Sequence, residues 1–138
     1  MIVCEPTNTV VNDANIAAKI LRKTYADLQD GEHWEHMCVM GLNAINIVLY
    51  IDIVGMGNLT SCTADPRNIF RTAIIRDCAA IILSHNHISG KVAPSTNDRQ
   101  TTEKMVKAGV ILSIPVLDHI IIGMNTNNFY SFEEQGEV

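Results

Sequence analysis

The stretch Ser84-His85-Asn86-His87-Ile88-Ser89-Gly90, followed by Pro94-Ser95-Thr96-Asn97-Asp98, gathers the residues of this chain best suited to hold a metal ion. The run before it, Ala79-Ala80-Ile81-Ile82-Leu83, is short and apolar and reads as a buried strand. Strand side chains alternate between faces, so His85 and His87 point the same way. Two imidazoles on one face at a strand end can chelate one ion. Gly90 and Pro94 turn the chain, and the residues from Ser95 open a helical pattern that can fold Asp98 back towards the histidines. Two His and one Asp are N and O ligands that Zn²⁺ accepts. Three protein ligands leave one position for water, which is the arrangement of a catalytic site rather than a structural one.

The same residues admit plainer roles. A His-x-His pair at a strand end can be polar surface. Ser95 at a helix N-cap with an acid three residues later is a capping-box arrangement. An acid in the first turn also suits the helix dipole. Capping accounts for Ser95 and Asp98 without a metal, leaves the two histidines unexplained, and does not exclude ligation.

The frame for these groups alternates helices and strands. The 138 residues, 47% hydrophobic and 18% charged, read as one globular domain over 1–138 with its core at about 13–133. Residues 1–11 read as an edge strand or an arm. Asn12-Asp13 caps a helix over 13–29, whose apolar face is Ile16, Ala17, Ile20, Leu21, Tyr25 and Leu28, with Gly31 at its stop. Residues 37–42 form a strand, Asn43-Ala44 a turn, and residues 45–53 a second strand, together a hairpin. Pro66 opens a helix that runs to Cys78, with Ile69, Phe70, Ala73 and Ile74 facing the core and Arg67, Arg71 and Arg76 facing solvent. A helix over 96–108 turns Met105, Val106 and Ala108 inward and ends at Gly109. Val110-Ile111-Leu112 and residues 116–122 are apolar runs, the second a full central strand with Asp118-His119 as paired polar residues rather than ligands. Residues 129–132 make a last strand, and the acidic tail to Val138 reads as loose. The sum is an α/β fold: a single mixed β-sheet flanked by helices.

Other motifs carry less. His33-Trp34-Glu35-His36 has neither spacing of a helical zinc-protease motif, so His33 and His36 read as surface or site-rim residues, and Trp34 as a cleft wall or a packing residue. Gly55-Met56-Gly57 lacks the third glycine of a phosphate loop. Cys4, Cys38, Cys62 and Cys78 form no Cys-x-x-Cys pair and read as reduced and mostly buried. A net charge of −5 gives no support to nucleic acid as a partner, which needs cations against phosphates. Nothing reads as a transmembrane span or a signal peptide, so the sequence-based expectation is a cytoplasmic chain with no membrane partner.

The spacing His85-x-His87, seven residues, Ser95, two residues, Asp98 matches the signature of the JAB/MPN (JAMM) metalloprotease fold. Ser84-His85-Asn86-His87-x-Ser89-Gly90 with Pro94-Ser95 resembles its bacterial RadC branch, as do Leu117-Asp118-His119-Ile120-Ile121-Ile122-Gly123 and Tyr130-Ser131-Phe132. Ile88 stands where the RadC pattern usually has Pro. The resemblance covers roughly 35–133 and implies a layered domain like that of cytidine deaminases. It implies one Zn²⁺ on His85, His87 and Asp98, and hydrolysis of a peptide or isopeptide-like amide in a peptide or protein substrate. By the match of Glu35, Met37, Val39 and Leu42 to the family's first-strand pattern, it implies Glu35 as the base, with Glu32 as competitor. It implies Ser95 as the donor to the developing oxyanion. Two further readings follow from it. One is a DNA-repair-associated binding or nuclease accessory, which needs a local basic patch such as Arg67, Arg71, Lys104 and Lys107. The other is a catalytically silent interaction module stabilised by zinc. Exposed sheet edges make a homodimer an additional expectation.

Overall fold

The computed structural model describes residues 1–4, 8–28, 33–57 and 64–138. Its elements in chain order are β1 (Ile2–Cys4), α1 (Ala14–Asp27), β2 (His36–Leu42), β3 (Val48–Met56), α2 (Pro66–Ile75), β4 (Ala80–His87), α3 (Thr96–Leu112), β5 (Val116–Gly123) and β6 (Phe129–Ser131). The strands form one sheet in the order β1-β3-β2-β4-β5-β6. β4 and β5 run parallel, connected through α3, and the other neighbouring pairs are antiparallel. The expected mixed sheet flanked by helices is therefore the observed fold.

Burial on both sides explains why β2 and the first half of β4 are nearly continuous apolar runs. α1 covers one face, setting Ala17, Leu21 and Tyr25 against Cys38, Met40, Ile51, Ile120 and Ile122. α2 and α3 cover the other, setting Ile69, Phe70, Ala73 and Met105 against Val39, Ile81 and Leu83. Alternation along β4 thus sends Leu83 and His85 towards the α2/α3 layer. It sends Ser84 towards α1, where its hydroxyl oxygen accepts from the buried Tyr25 hydroxyl at 2.8 Å.

Several boundaries differ from the sequence reading, each for a physical reason. Asp13 is the N-cap of α1, and its carboxylate accepts from the Ile16 amide. The helix closes at Leu28, and the predicted stop at Gly31 lies outside the described residues. The hairpin turn is longer than Asn43-Ala44. The Asn43 side chain accepts from the amides of Ile45 and Ile47, and Asn46 takes φ 63°, so the second strand begins at Val48. Ile74, expected in the core, is 54% exposed, because it lies on the outer side of α2 while its neighbour Ala73 packs inward. Arg76 is half-buried rather than solvated and lies over the Tyr50 ring at 5.6 Å.

The largest difference concerns Gly109, which does not end α3. A Cβ at this position would stand 2.6 Å from the Ile114 carbonyl oxygen, so glycine is present to let the chain after the helix return close by. The helix continues through Val110-Ile111-Leu112, all exposed, and stops at Ser113 in the left-handed region at φ 59°. The acidic tail is not loose. It folds back through turns, the Glu137 amide donates to the Phe132 carbonyl, and the Glu137 carboxylate meets Arg99 and the Tyr130 hydroxyl.

Candidate metal centre

The candidate ligands converge where β4 ends and α3 begins. His85 Nε2 stands 3.0 Å from His87 Nε2. The two oxygens of Asp98 stand 3.2 Å from His85 Nε2 and 3.4 Å from His87 Nε2, one oxygen to each ring. One atom from each of the three residues lies within 4.8 Å of the others, so the group could hold a metal ion. Donors about 2.1 Å from one ion at tetrahedral angles stand roughly 3.4 Å apart, close to these separations. His87 Nδ1 lies 2.7 Å from the Lys91 carbonyl oxygen, which can only accept. The ring proton therefore sits on Nδ1, and Nε2 is left as a lone pair directed at the other ligands. Two imidazole nitrogens and a carboxylate brought this close call for positive charge between them, and a divalent ion supplies it.

Local sequence explains the convergence. The turn after β4 closes with the Gly90 amide donating to the His87 carbonyl, Gly90 at φ 82°. Ile88 occupies the second position of that turn, where a proline ring would be pre-set. Ser95 then caps α3, accepting from the Asp98 amide at 3.0 Å, while Asp98 Oδ2 accepts from the Ser95 amide at 2.9 Å. The capping box of the plainer reading is thus present. The same carboxylate faces both histidines, so capping and the ligand position coincide. Because Ser95 Oγ acts in this box as an acceptor, its hydroxyl proton is not used there.

Glu35 is half-buried just before β2. The antiparallel register pairs Met37 with His85. The paired register stops there, and Glu35 lies two residues beyond it, on the side of the ladder where β4 runs on to His87. The Glu35 charge also acts on the His87 ring. The segment is held by the residue between the ligands: Asn86 Oδ1 accepts from the His36 amide at 2.6 Å, and Asn86 Nδ2 donates to the Trp34 carbonyl at 3.1 Å. Glu32 lies outside the described residues. His36, read from sequence as a surface or rim residue, is instead buried at 4% exposure and pairs with Met56 of β3, and Trp34 is exposed. Of the cations considered for a basic patch, Arg67 is paired with Asp65 and Lys107 with Glu103.

Charge at the site is unevenly held. The Asp98 hydrogen bond, backed by the Lys91 carbonyl, raises the His87 pKa against the opposing effect of burial. Burial acts to raise the Asp98 pKa, but the His85 and His87 rings, which bond its carboxylate when they are protonated, outweigh it with the Ser95 amide and hold the carboxyl far below its usual range. Asp98 therefore remains ionised while His87 takes up a proton at higher pH than an ordinary imidazole, near 6.5. Protons and metal compete for His87 Nε2, so lowering the pH weakens binding, and the raised pKa moves the onset upward. Zinc affinity followed by competition titration is expected to begin falling above pH about 6.5 and to fall steadily below it. An affinity constant down to pH about 5.5 would exclude His87 as a ligand.

Sequence reasoning missed three residues. His119, expected as a polar residue paired with Asp118 inside the sheet, points its ring at the centre: His119 Nε2 lies 2.8 Å from His85 Nδ1. Thr102 Oγ1 lies 2.5 Å from His119 Nδ1. Asp118 instead anchors the chain after β6, its side chain accepting from the Ser131 hydroxyl and the Glu133 amide. Asn86 was the third. Two cues were available in the sequence: a histidine inside an apolar strand, and a polar residue in the middle of a His-x-His pair.

A mixed-sheet α/β domain that brings two histidines, an aspartate and a nearby glutamate to one strand end is a JAB-type domain with a candidate metal centre. Comparison with known families agrees: the RadC-like JAB domain matches residues 11–137, and the chain belongs to that family. It is 43% identical over 102 residues to a UPF0758 protein of Symbiobacterium thermophilum, covering 74% of this chain and 43% of that protein. It is 36% identical over 131 residues to one from Rubrobacter xylanophilus, covering 95% and 55%, and 48% identical over 101 residues to one from Moorella thermoacetica, covering 73% and 43%. The chain spans about half the length of the curated relatives it matches.

Proposed function

We propose that the chain is a zinc-dependent metallopeptidase or amidohydrolase acting on a peptide or isopeptide-like amide bond. The observation that carries this reading is the convergence of His85, His87 and Asp98 donor atoms within 4.8 Å, with the Glu35 charge close enough to act on the His87 ring. The donor set of two imidazoles and one carboxylate is that of an open zinc site. When bound, zinc supplies Lewis acidity, acidifying water and polarising a carbonyl. Glu35 takes the proton of the attacking water and delivers it to the departing amine, a role suited to a carboxylate held by its flanking backbone. Ser95 directs its hydroxyl proton at the oxygen on which negative charge develops. One such donor contributes about 3 kcal/mol to the transition state. The described free cysteines, Cys38 and Cys78, are both buried and accord with a reducing, cytoplasmic setting. Among the described residues, no helix is long and apolar enough to cross a membrane.

The test is turnover. The chain loaded with one equivalent of zinc is incubated with peptide and isopeptide libraries, and products are read by mass spectrometry. Amide cleavage that stops on chelation and returns with zinc is expected. Stoichiometric zinc with no cleavage across both libraries would count against a hydrolase and favour the zinc-stabilised interaction module.

A further inference from the structure

His85 does not end at its own ring. Its Nδ1 meets His119 Nε2 at 2.8 Å, and His119 Nδ1 meets Thr102 Oγ1 at 2.5 Å. Thr102 Oγ1 lies 2.8 Å from the Asp98 backbone carbonyl oxygen and donates its proton to it. Carbonyl oxygens only accept and a hydroxyl has one proton, so the direction of every bond in the line follows. Thr102 accepts at its other side, and His119 Nδ1 carries the proton given to it. His119 Nε2 is then an acceptor, so His85 Nδ1 is the donor, and His85 Nε2 is a bare lone pair aimed at His87 and Asp98. His119 and Thr102 are both 2% exposed or less, so both are shielded from bulk solvent. The His119 ring is held in plane by stacking on Phe132, centroids 4.9 Å apart and 12° between planes.

We infer that His119 and Thr102 are positioning residues for the metal centre, fixing His85 in the tautomer whose Nε2 can ligate. This rests on the reading of His85 as a metal ligand. The group that accepts from the outer N–H of a ligating histidine is usually a carboxylate, carbonyl or water, and losing it costs about 10- to 100-fold in metal affinity. Here the acceptor is a second, neutral imidazole, which depends in turn on one hydroxyl.

The experiment is zinc affinity by competition with a chromophoric chelator, with thermal stability measured on the same metal-free samples. His119→Phe keeps the stacking on Phe132 but cannot accept, and is expected to lose about 10- to 100-fold in affinity. His119→Gln packs less well but can place an amide oxygen where Nε2 was, and is expected to stay within several-fold of the unmodified chain. A purely structural role orders affinity as stability is ordered, Phe above Gln. The relay orders affinity the other way. Should His119→Phe not fold, Thr102→Val against Thr102→Ser repeats the comparison, with affinity lost in the first and kept in the second. Imidazole nitrogen shifts in the NMR spectrum are expected to show His85 protonated at Nδ1. Zinc binding unaltered by His119→Phe and Thr102→Val would overturn this inference alone. An unmodified chain that takes up no zinc would overturn the ligand reading and this inference with it.

Discussion

Glu35→Gln is expected to retain full zinc content and to lose about 100- to 10,000-fold in hydrolysis rate, the usual contribution of a general acid–base residue. Glutamine has the size and hydrogen-bonding shape of glutamate, so the backbone bonds of Trp34 and His36 to Asn86 are undisturbed. It lacks the charge and the basic oxygen, so it can neither accept a proton from water nor return one. The candidate ligands lie on β4 and α3, whereas Glu35 precedes β2, so metal content and turnover are expected to separate. The check is elemental analysis beside single-turnover kinetics on a cleaved substrate. Full activity in the variant would remove Glu35 from the base role.

Replacing His85 and His87 together by alanine is expected to take zinc from about one per chain to none. The remaining ligand, Asp98, is a single carboxylate already engaged by the Ser95 amide, and one hard oxygen does not hold zinc against bulk water. The variant also loses any stabilisation that the ion gives by binding the folded state alone, about 4 kcal/mol at a thousandfold excess over the dissociation constant. Melting curves with and without added zinc are the measurement: the unmodified chain shifts upward and the double variant does not move. Equal upward shifts in both would place the ion elsewhere.

The fold was legible because the elements that matter are strongly patterned. The three-and-four spacing over Ile16 to Tyr25 and the apolar strand before His85 both reflect burial, and burial is what the hydropathy of a sequence records. The errors fall where a residue's reason lies outside its own segment. Gly109 looked like a helix stop, since glycine often is one, but it answers to the chain at Ile114. Ile74, Val110, Ile111 and Leu112 are apolar yet exposed, so apolar character alone misplaced them. At the site, the spacing of His85, His87, Ser95 and Asp98 was visible because it is local. His119 became visible only through the parallel pairing of β4 and β5, which sets Leu83 beside His119. Thr102 needed the helix–sheet packing as well, which no spacing in one segment encodes.

The middle residue of the His-x-His pair has a mechanical consequence. Asn86 grips the peptide units on either side of Glu35 while its own backbone carries His85 and His87 to the left and right of it. Two hydrogen bonds thereby tie the backbone flanking Glu35 to the residue between the imidazoles, some fifty positions away in the chain. A displacement of the end of β4 would pull on that backbone through Asn86. β4 is tied to α3 as well, from His85 through His119 and Thr102 to the Asp98 carbonyl, so both sides of the candidate centre are anchored to the strand that carries its histidines.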